Sequence, residues 1–188
     1  MEKTSQTMAF AICALLFGAQ VIAAVPQLQI APRVGKGSLR VDRFEGSDRF
    51  VADDDTAGLG VSLAYLTSPG VVFEIGTDSF GSFDLFGAID NFRLTQAFAS
   101  VGYQAELGHG WRLVPRFGRA TWRLKAEEGF LFNPGPEQTR EIRGGDYYWE
   151  VGLSRQISRV VALGVAYKQG DYDFGRARAA TFNVTLGF

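Results

Sequence analysis

Residues 58–66, GLGVSLAYL, set Leu59, Val61, Leu63 and Tyr65 against Gly58, Gly60, Ser62 and Ala64. A two-residue period is that of a β-strand, whose successive side chains leave opposite faces. The second face decides which fold this strand belongs to. A soluble barrel turns its apolar side inward and covers the outside with lysine, glutamate and threonine. Here the second face is glycine, serine and alanine, which suit the cramped interior of an eight-stranded barrel. The large apolar side chains then point outward, an arrangement that is stable where the surroundings are lipid.

The same period recurs along the chain. Val71, Phe73 and Ile75 alternate with Val72, Glu74 and Gly76, and Val101 and Tyr103 with Ser100, Gly102 and Gln104. Leu113 and Phe117 oppose Val114, Arg116 and Gly118; Trp149, Val151 and Leu153 oppose Glu150, Gly152 and Ser154. Val161, Leu163, Val165 and Tyr167 oppose Ala162, Gly164, Ala166 and Lys168; near the start Leu28, Ile30 and Val34 oppose Gln29, Arg33 and Gly35. In the closing stretch, TFNVTLGF at 181–188, Phe182, Val184, Leu186 and Phe188 share one parity. That makes eight strands. Their connectors alternate between short (TSPG, LGHG, QISR) and longer, around residues 44–56, 79–91, 127–145 and 171–177. Short turns at one end and long loops at the other is the layout of an up-and-down outer-membrane barrel.

Composition sets the bounds. A chain of 188 residues with 46% hydrophobic and 13% aromatic residues is no disordered protein, and 23 glycines against 6 prolines suit curved strands. The net charge of -1 gives no basic face for nucleic acid. Residues 1–24 read as a secretory signal peptide: a short polar start, an apolar stretch from about Met8 to Ala19, and small residues at Ala23 and Ala24, after either of which cleavage is expected. Cys13, the only cysteine, falls inside it, so the mature barrel, residues 25–188, has no disulfide. The single histidine, His109, sits in a tight turn and reads as a solvated residue. No metal site or cofactor is expected, and the run Asp53, Asp54, Asp55 in the first loop lacks the spacing of a calcium cage.

Aromatic placement agrees with a membrane wall. Tyr65, Tyr103, Trp111 and Phe188 fall beside the short turns, and Tyr147, Trp149 and Tyr167 towards the long loops, giving two interfacial girdles. With the segments VFEIG, ASVGY, RFGRATWR and the terminal VTLGF in this order, the chain resembles the small eight-stranded outer-membrane barrels of the OmpA and OmpX kind, across residues 25–188. The resemblance implies a barrel without the peptidoglycan-binding domain that some relatives carry. It also implies that Phe182, Val184, Leu186 and Phe188 form the signal read by the outer-membrane insertion machinery.

Arg33, Glu74, Arg116 and Glu150 carry the inward parity. Charges inside a narrow barrel must pair, so Glu74 is expected to bond Arg33, Arg116 or both. Two readings follow: a structural plug that seals the lumen, or a gate in which Glu74 exchanges partners. In the family Glu74 and Arg116 match members of such a network, whereas the basic alternatives on the fourth and seventh strands are here Ser100 and Gly164. Arg119 and Arg123 face outward by the same parity; either they reach lipopolysaccharide phosphates or a bulge inverts them. The second loop is aromatic, with Phe80, Phe83, Phe86 and Phe92, and suggests a contact patch or strands continuing above the membrane. A lipid-modifying enzyme would need a nucleophile and base near the outer interface, and His109 lies at the opposite end. What remains is a structural or surface-interaction barrel, with lipid, lipopolysaccharide and a loop partner around it, or a narrow channel or carrier.

Overall fold

A computed structural model of the chain describes residues 27–41, 52–81, 91–127 and 139–188; the signal peptide expected over 1–24 and the residues Phe83 and Phe86 of the expected second loop lie outside them. The described elements are strands: β1 (Gln27–Val41), β2 (Ala52–Leu66), β3 (Val71–Gly81), β4 (Asn91–Tyr103), β5 (Ala105–Gly108), β6 (Trp111–Glu127), β7 (Thr139–Gln156), β8 (Val161–Tyr172) and β9 (Gly175–Gly187). The short β5 continues β4 past a break at Gln104 and both pair with β6, so the barrel has eight staves. Neighbours run antiparallel, and because β1 pairs with β9 as well as β2 the sheet closes on itself. Closure reaches the last residue, whose amide donates to the Leu28 carbonyl at 2.8 Å.

The paired residues fix the stagger. From Gln29 the ladder passes through Ala64, Glu74, Ser100, Gly118, Tyr148, Gly170 and Ala177, and returns to β1 at Leu39, ten residues above its start. A stagger of that size in eight strands tilts them by roughly 35–45° and leaves an interior that side chains just fill. The turns at 67–70, 109–110 and 157–160 gather at one end, where His109 takes a left-handed φ of 53° between two glycines. This is the periplasmic end in barrels of this design.

Strands β1, β4 and β6 change their polarity part-way up. On the lower part of β1 the outward residues are Ile30, Pro32 and Val34, and Arg33 is inside; higher up, Lys36 and Arg40 are exposed, and Leu39 and Val41 are buried at 2% and 0% exposure. Strand β6 does the same, from outward Phe117 and inward Arg116 to outward Arg119, Thr121 and Arg123 over inward Trp122, Leu124 and Ala126. The physical reason is the change of solvent. In lipid the apolar side faces out and the polar side in; above the membrane, water reverses that preference.

This reversal corrects the expected loops. The strands run on beyond the lipid belt, so Asp53, Asp54 and Asp55 lie in β2, opposite Arg40, Leu39 and Ser38. Phe80 and Phe92 belong to β3 and β4 and are buried inside the barrel at 6% and 3% exposure, not displayed on a loop. The connector expected at 171–177 is a two-residue turn, Asp173 and Phe174, with Phe174 buried at 1%. Strand β7 begins at Thr139, inside the expected third loop.

Interior glycines receive aromatic rings: Phe80 lies over Gly58, Phe98 over Gly76, Trp122 over Gly144 and Tyr172 over Gly170. A side chain at Gly76 would collide with Phe98 and with the Val61 carbonyl. Gly76→Val is therefore expected to lower barrel stability by about 1–3 kcal/mol, read as the urea midpoint in lipid vesicles, because overpacking must displace a ring with nowhere to go.

Candidate functional site: the barrel interior

Midway up, four strands aim one charge each at the same point. Arg33 of β1 bonds Glu74 of β3, and its other terminal nitrogen donates to Glu150 Oε2 of β7 at 3.0 Å. Arg116 of β6 completes the ring, donating to Glu150 Oε1 at 2.7 Å and placing Nε 3.1 Å from Glu74 Oε2. That last contact is electrostatic, since the Nε–H finds no aligned acceptor. Arg33 also donates to Ser62 Oγ at 3.1 Å, and Ser100 Oγ donates to Glu74 Oε2 at 3.4 Å. Glu74 thus contacts both arginines. Two cations and two anions, with Arg33, Glu74 and Glu150 all buried, form a neutral closed circuit across the lumen.

Sequence reading missed a second storey. Lys168 of β8, buried at 5% exposure, donates to Asp78 Oδ2 of β3 at 2.9 Å. Its ammonium lies 4.3 Å and 4.2 Å from the ring centres of Phe98 and Tyr148, so ring faces and a carboxylate replace its water. Gln96 bridges Asp78 at 3.4 Å to the Tyr172 hydroxyl, which donates to Gln96 Oε1 at 2.9 Å. The signal for this pair was available, since both residues carry the inward parity. Gly164 sits against Asn183, and Lys168 supplies a cation from higher on the same strand.

Apolar layers close the two ends. Above the second storey Leu39, Leu94, Trp122, Leu124, Tyr172 and Phe174 pack together, with Trp122 and Phe174 edge-to-face at 4.7 Å and the indole N–H donating to Asp146 at 2.7 Å. Below the ring of charges lie Ala64, Leu66, Val72 and Val114. Among the described residues, two small hollows adjoin these layers. One of about 40 Å³ touches Gln29, Arg33, Glu74, Arg112 and Arg116 on the periplasmic side; another of about 20 Å³ touches Thr56, Phe80, Gln96, Lys168 and Tyr172 above. Each has room for a few waters at most, and no residue lines both.

On the outer wall, Tyr65, Trp111, Tyr147, Trp149 and Tyr167 are exposed and Tyr103 is half-buried. Phe117 stacks on Tyr147 at 5.6 Å, Trp149 leans on Tyr167 at 5.4 Å, and Arg155 lies over Trp111 at 5.6 Å. Phe182, Val184, Leu186 and Phe188 all point outward, with Phe188 72% exposed. The β6–β7 ladder is continuous from Trp111↔Arg155 to Glu127↔Thr139, so no bulge inverts Arg119 and Arg123; both face out. Among the described residues, no group of three histidine, cysteine or acidic side chains is placed to hold a metal ion.

No protein-family model matches the sequence, and no curated protein matches it. Solved structures do match. Neisserial surface protein A aligns with a TM-score of 0.69 at 11% identity, over 86% of this chain and 97% of its own. Ail, the attachment invasion locus protein of Yersinia pestis, in complex with a heparin analogue, gives 0.61 at 11% identity over 88% and 100%. The outer membrane protein OprG of Pseudomonas aeruginosa gives 0.55 at 11% identity over 86% and 94%. With its closed circuit of eight staves, apolar outer belt and polar interior, the chain has the fold of the small eight-stranded outer-membrane β-barrels and resides in that membrane.

Proposed function

We propose that the protein is a non-conducting, non-catalytic outer-membrane barrel with a structural or adhesin-like surface role. The observation that carries this reading is the filled lumen: a closed Arg33–Glu74–Arg116–Glu150 ring, a Lys168–Asp78 layer above it and apolar layers at both ends. An ion crossing would have to break a neutral circuit of buried pairs, each costly to open. Tyr65, Tyr103, Trp111, Tyr147, Trp149 and Tyr167 serve as interfacial anchors. Phe182, Val184, Leu186 and Phe188 serve as the address for the insertion machinery. Lipid and lipopolysaccharide surround the wall, and the strands that rise above the lipid carry the residues a surface partner would meet.

Planar-bilayer recordings of the refolded mature barrel test the reading, beside Glu74→Ala and Arg116→Ala. A wild type without discrete openings is the expected result. Discrete wild-type openings that either substitution alters would make the ring a gate and the protein a narrow channel.

A further inference from the structure

Inside the barrel, the Nε–H groups of Arg33, Arg112 and Arg116 are buried and have no hydrogen-bond acceptor. Arg33 as a whole is only 6% exposed. Carboxylates approach two of these groups without taking the proton: Glu106 Oε1 lies 2.8 Å from Arg112 Nε, and Glu74 Oε2 lies 3.1 Å from Arg116 Nε, both off the N–H direction. A buried charged donor left unmet is among the costlier defects a fold can carry.

All three side chains line the same hollow, the one of about 40 Å³ on the periplasmic side. It extends from the charge ring to Arg112, which pairs across the ladder with Glu106, next to the turn that holds His109. Its wall presents three guanidinium groups and one carboxylate, Glu74. Both oxygens of that carboxylate are engaged, Oε1 by Arg33 and Oε2 by Arg116 and Ser100. Ser154, Asn183 and Thr185 add neutral polar groups to the lining.

We propose that this hollow binds one small monovalent anion of chloride size, held by the three Nε–H groups. Donors are what the site has in surplus. An anion accepts from each of them and brings no proton of its own, whereas every water in the same place needs acceptors for two more protons. The volume admits chloride with some residual water and excludes a phosphate ester. Because the seat lies below the Arg33–Glu74–Arg116–Glu150 ring, the anion reaches it from the periplasmic rim with that circuit intact, and ties Arg112 to the ring. Neither a silent nor a conducting barrel decides the matter, since the seat stops short of the ring.

Two measurements test it. In crystals of the mature barrel grown in sodium bromide, which replaces chloride and scatters anomalously, one anomalous peak is expected in the hollow, within hydrogen-bonding reach of Arg33, Arg112 and Arg116. In vesicles of a zwitterionic lipid, the urea midpoint of wild type should rise saturably as chloride replaces gluconate, an anion too large for the hollow, at fixed ionic strength. Arg112→Met, outside the ring, should weaken the apparent chloride affinity about tenfold. Ala31→Leu, which fills the hollow and keeps all three arginines, should abolish the dependence. Arg155→Met, on the outer wall at the same end, should preserve it. Ordered water alone in the bromide crystals, a wild-type midpoint indifferent to chloride, or an equal loss in Arg155→Met would each overturn the site. A bromide peak without saturable stabilisation would mark an adventitious ion only and overturn it as well.

Discussion

Replacing Glu74 by alanine is expected to lower the unfolding free energy of the barrel by about 3–5 kcal/mol, read as the urea midpoint of the folded form in lipid vesicles. The carboxylate is 3% exposed and meets Arg33, Arg116 and Ser100 at once. Its loss leaves two guanidinium groups sharing Glu150 inside a lumen without bulk water. The double variant Glu74→Ala/Arg116→Ala restores charge balance, so its cost should fall well below the sum of the two single substitutions. A sum that is simply additive would mean that the four residues do not act as one circuit.

Val165→Arg should cost about 2–4 kcal/mol in the same assay, the penalty of a cation on the lipid face near mid-membrane. Val165 is 54% exposed and lies between Leu163 and Tyr167 on the outer face of β8. On a water-facing wall the same exposed substitution would fall within roughly 0.5 kcal/mol of neutral. The size of the effect therefore reports the solvent outside the barrel. Arg178, on the outer wall of the neighbouring β9 and higher up, shows where the wall already accepts a cation.

The two-residue period made the eight staves legible, and the inward parity of Arg33, Glu74, Arg116 and Glu150 made the ring of charges legible, because both depend on alternation alone. What escaped depends on where the surroundings change. Strands were expected to stop where the lipid-facing pattern stopped, yet β1, β4 and β6 continue with the pattern reversed. Phe80 and Phe92 left two readings, a contact patch or strands continuing above the membrane, and the structure takes the second, although an apolar residue on the inner parity has no place in a membrane strand. In the water-exposed part it is the core. Lys168 and Asp78 escaped because each lies near the point where the rule changes sign, and their partnership joins strands far apart in the chain. Arg119 and Arg123 needed the unbroken β6–β7 register to show that they face out.

The reversal of polarity along one wall is the feature from which the membrane placement, the internal plug and the outward Arg119 and Arg123 all follow. A spin-label scan of β1 measures it most directly, since Cys13 lies in the expected signal segment and the mature strand offers no competing thiol. Labels would be placed one at a time at even positions from 30 to 40 and at Leu39 and Val41, in the folded protein in vesicles. The account predicts access to lipid-soluble oxygen at 30, 32 and 34, access to a water-soluble nickel chelate at 36, 38 and 40, and little access to either at the odd positions. Water access at 30, 32 and 34, or lipid access that continues unbroken to 40, would contradict it.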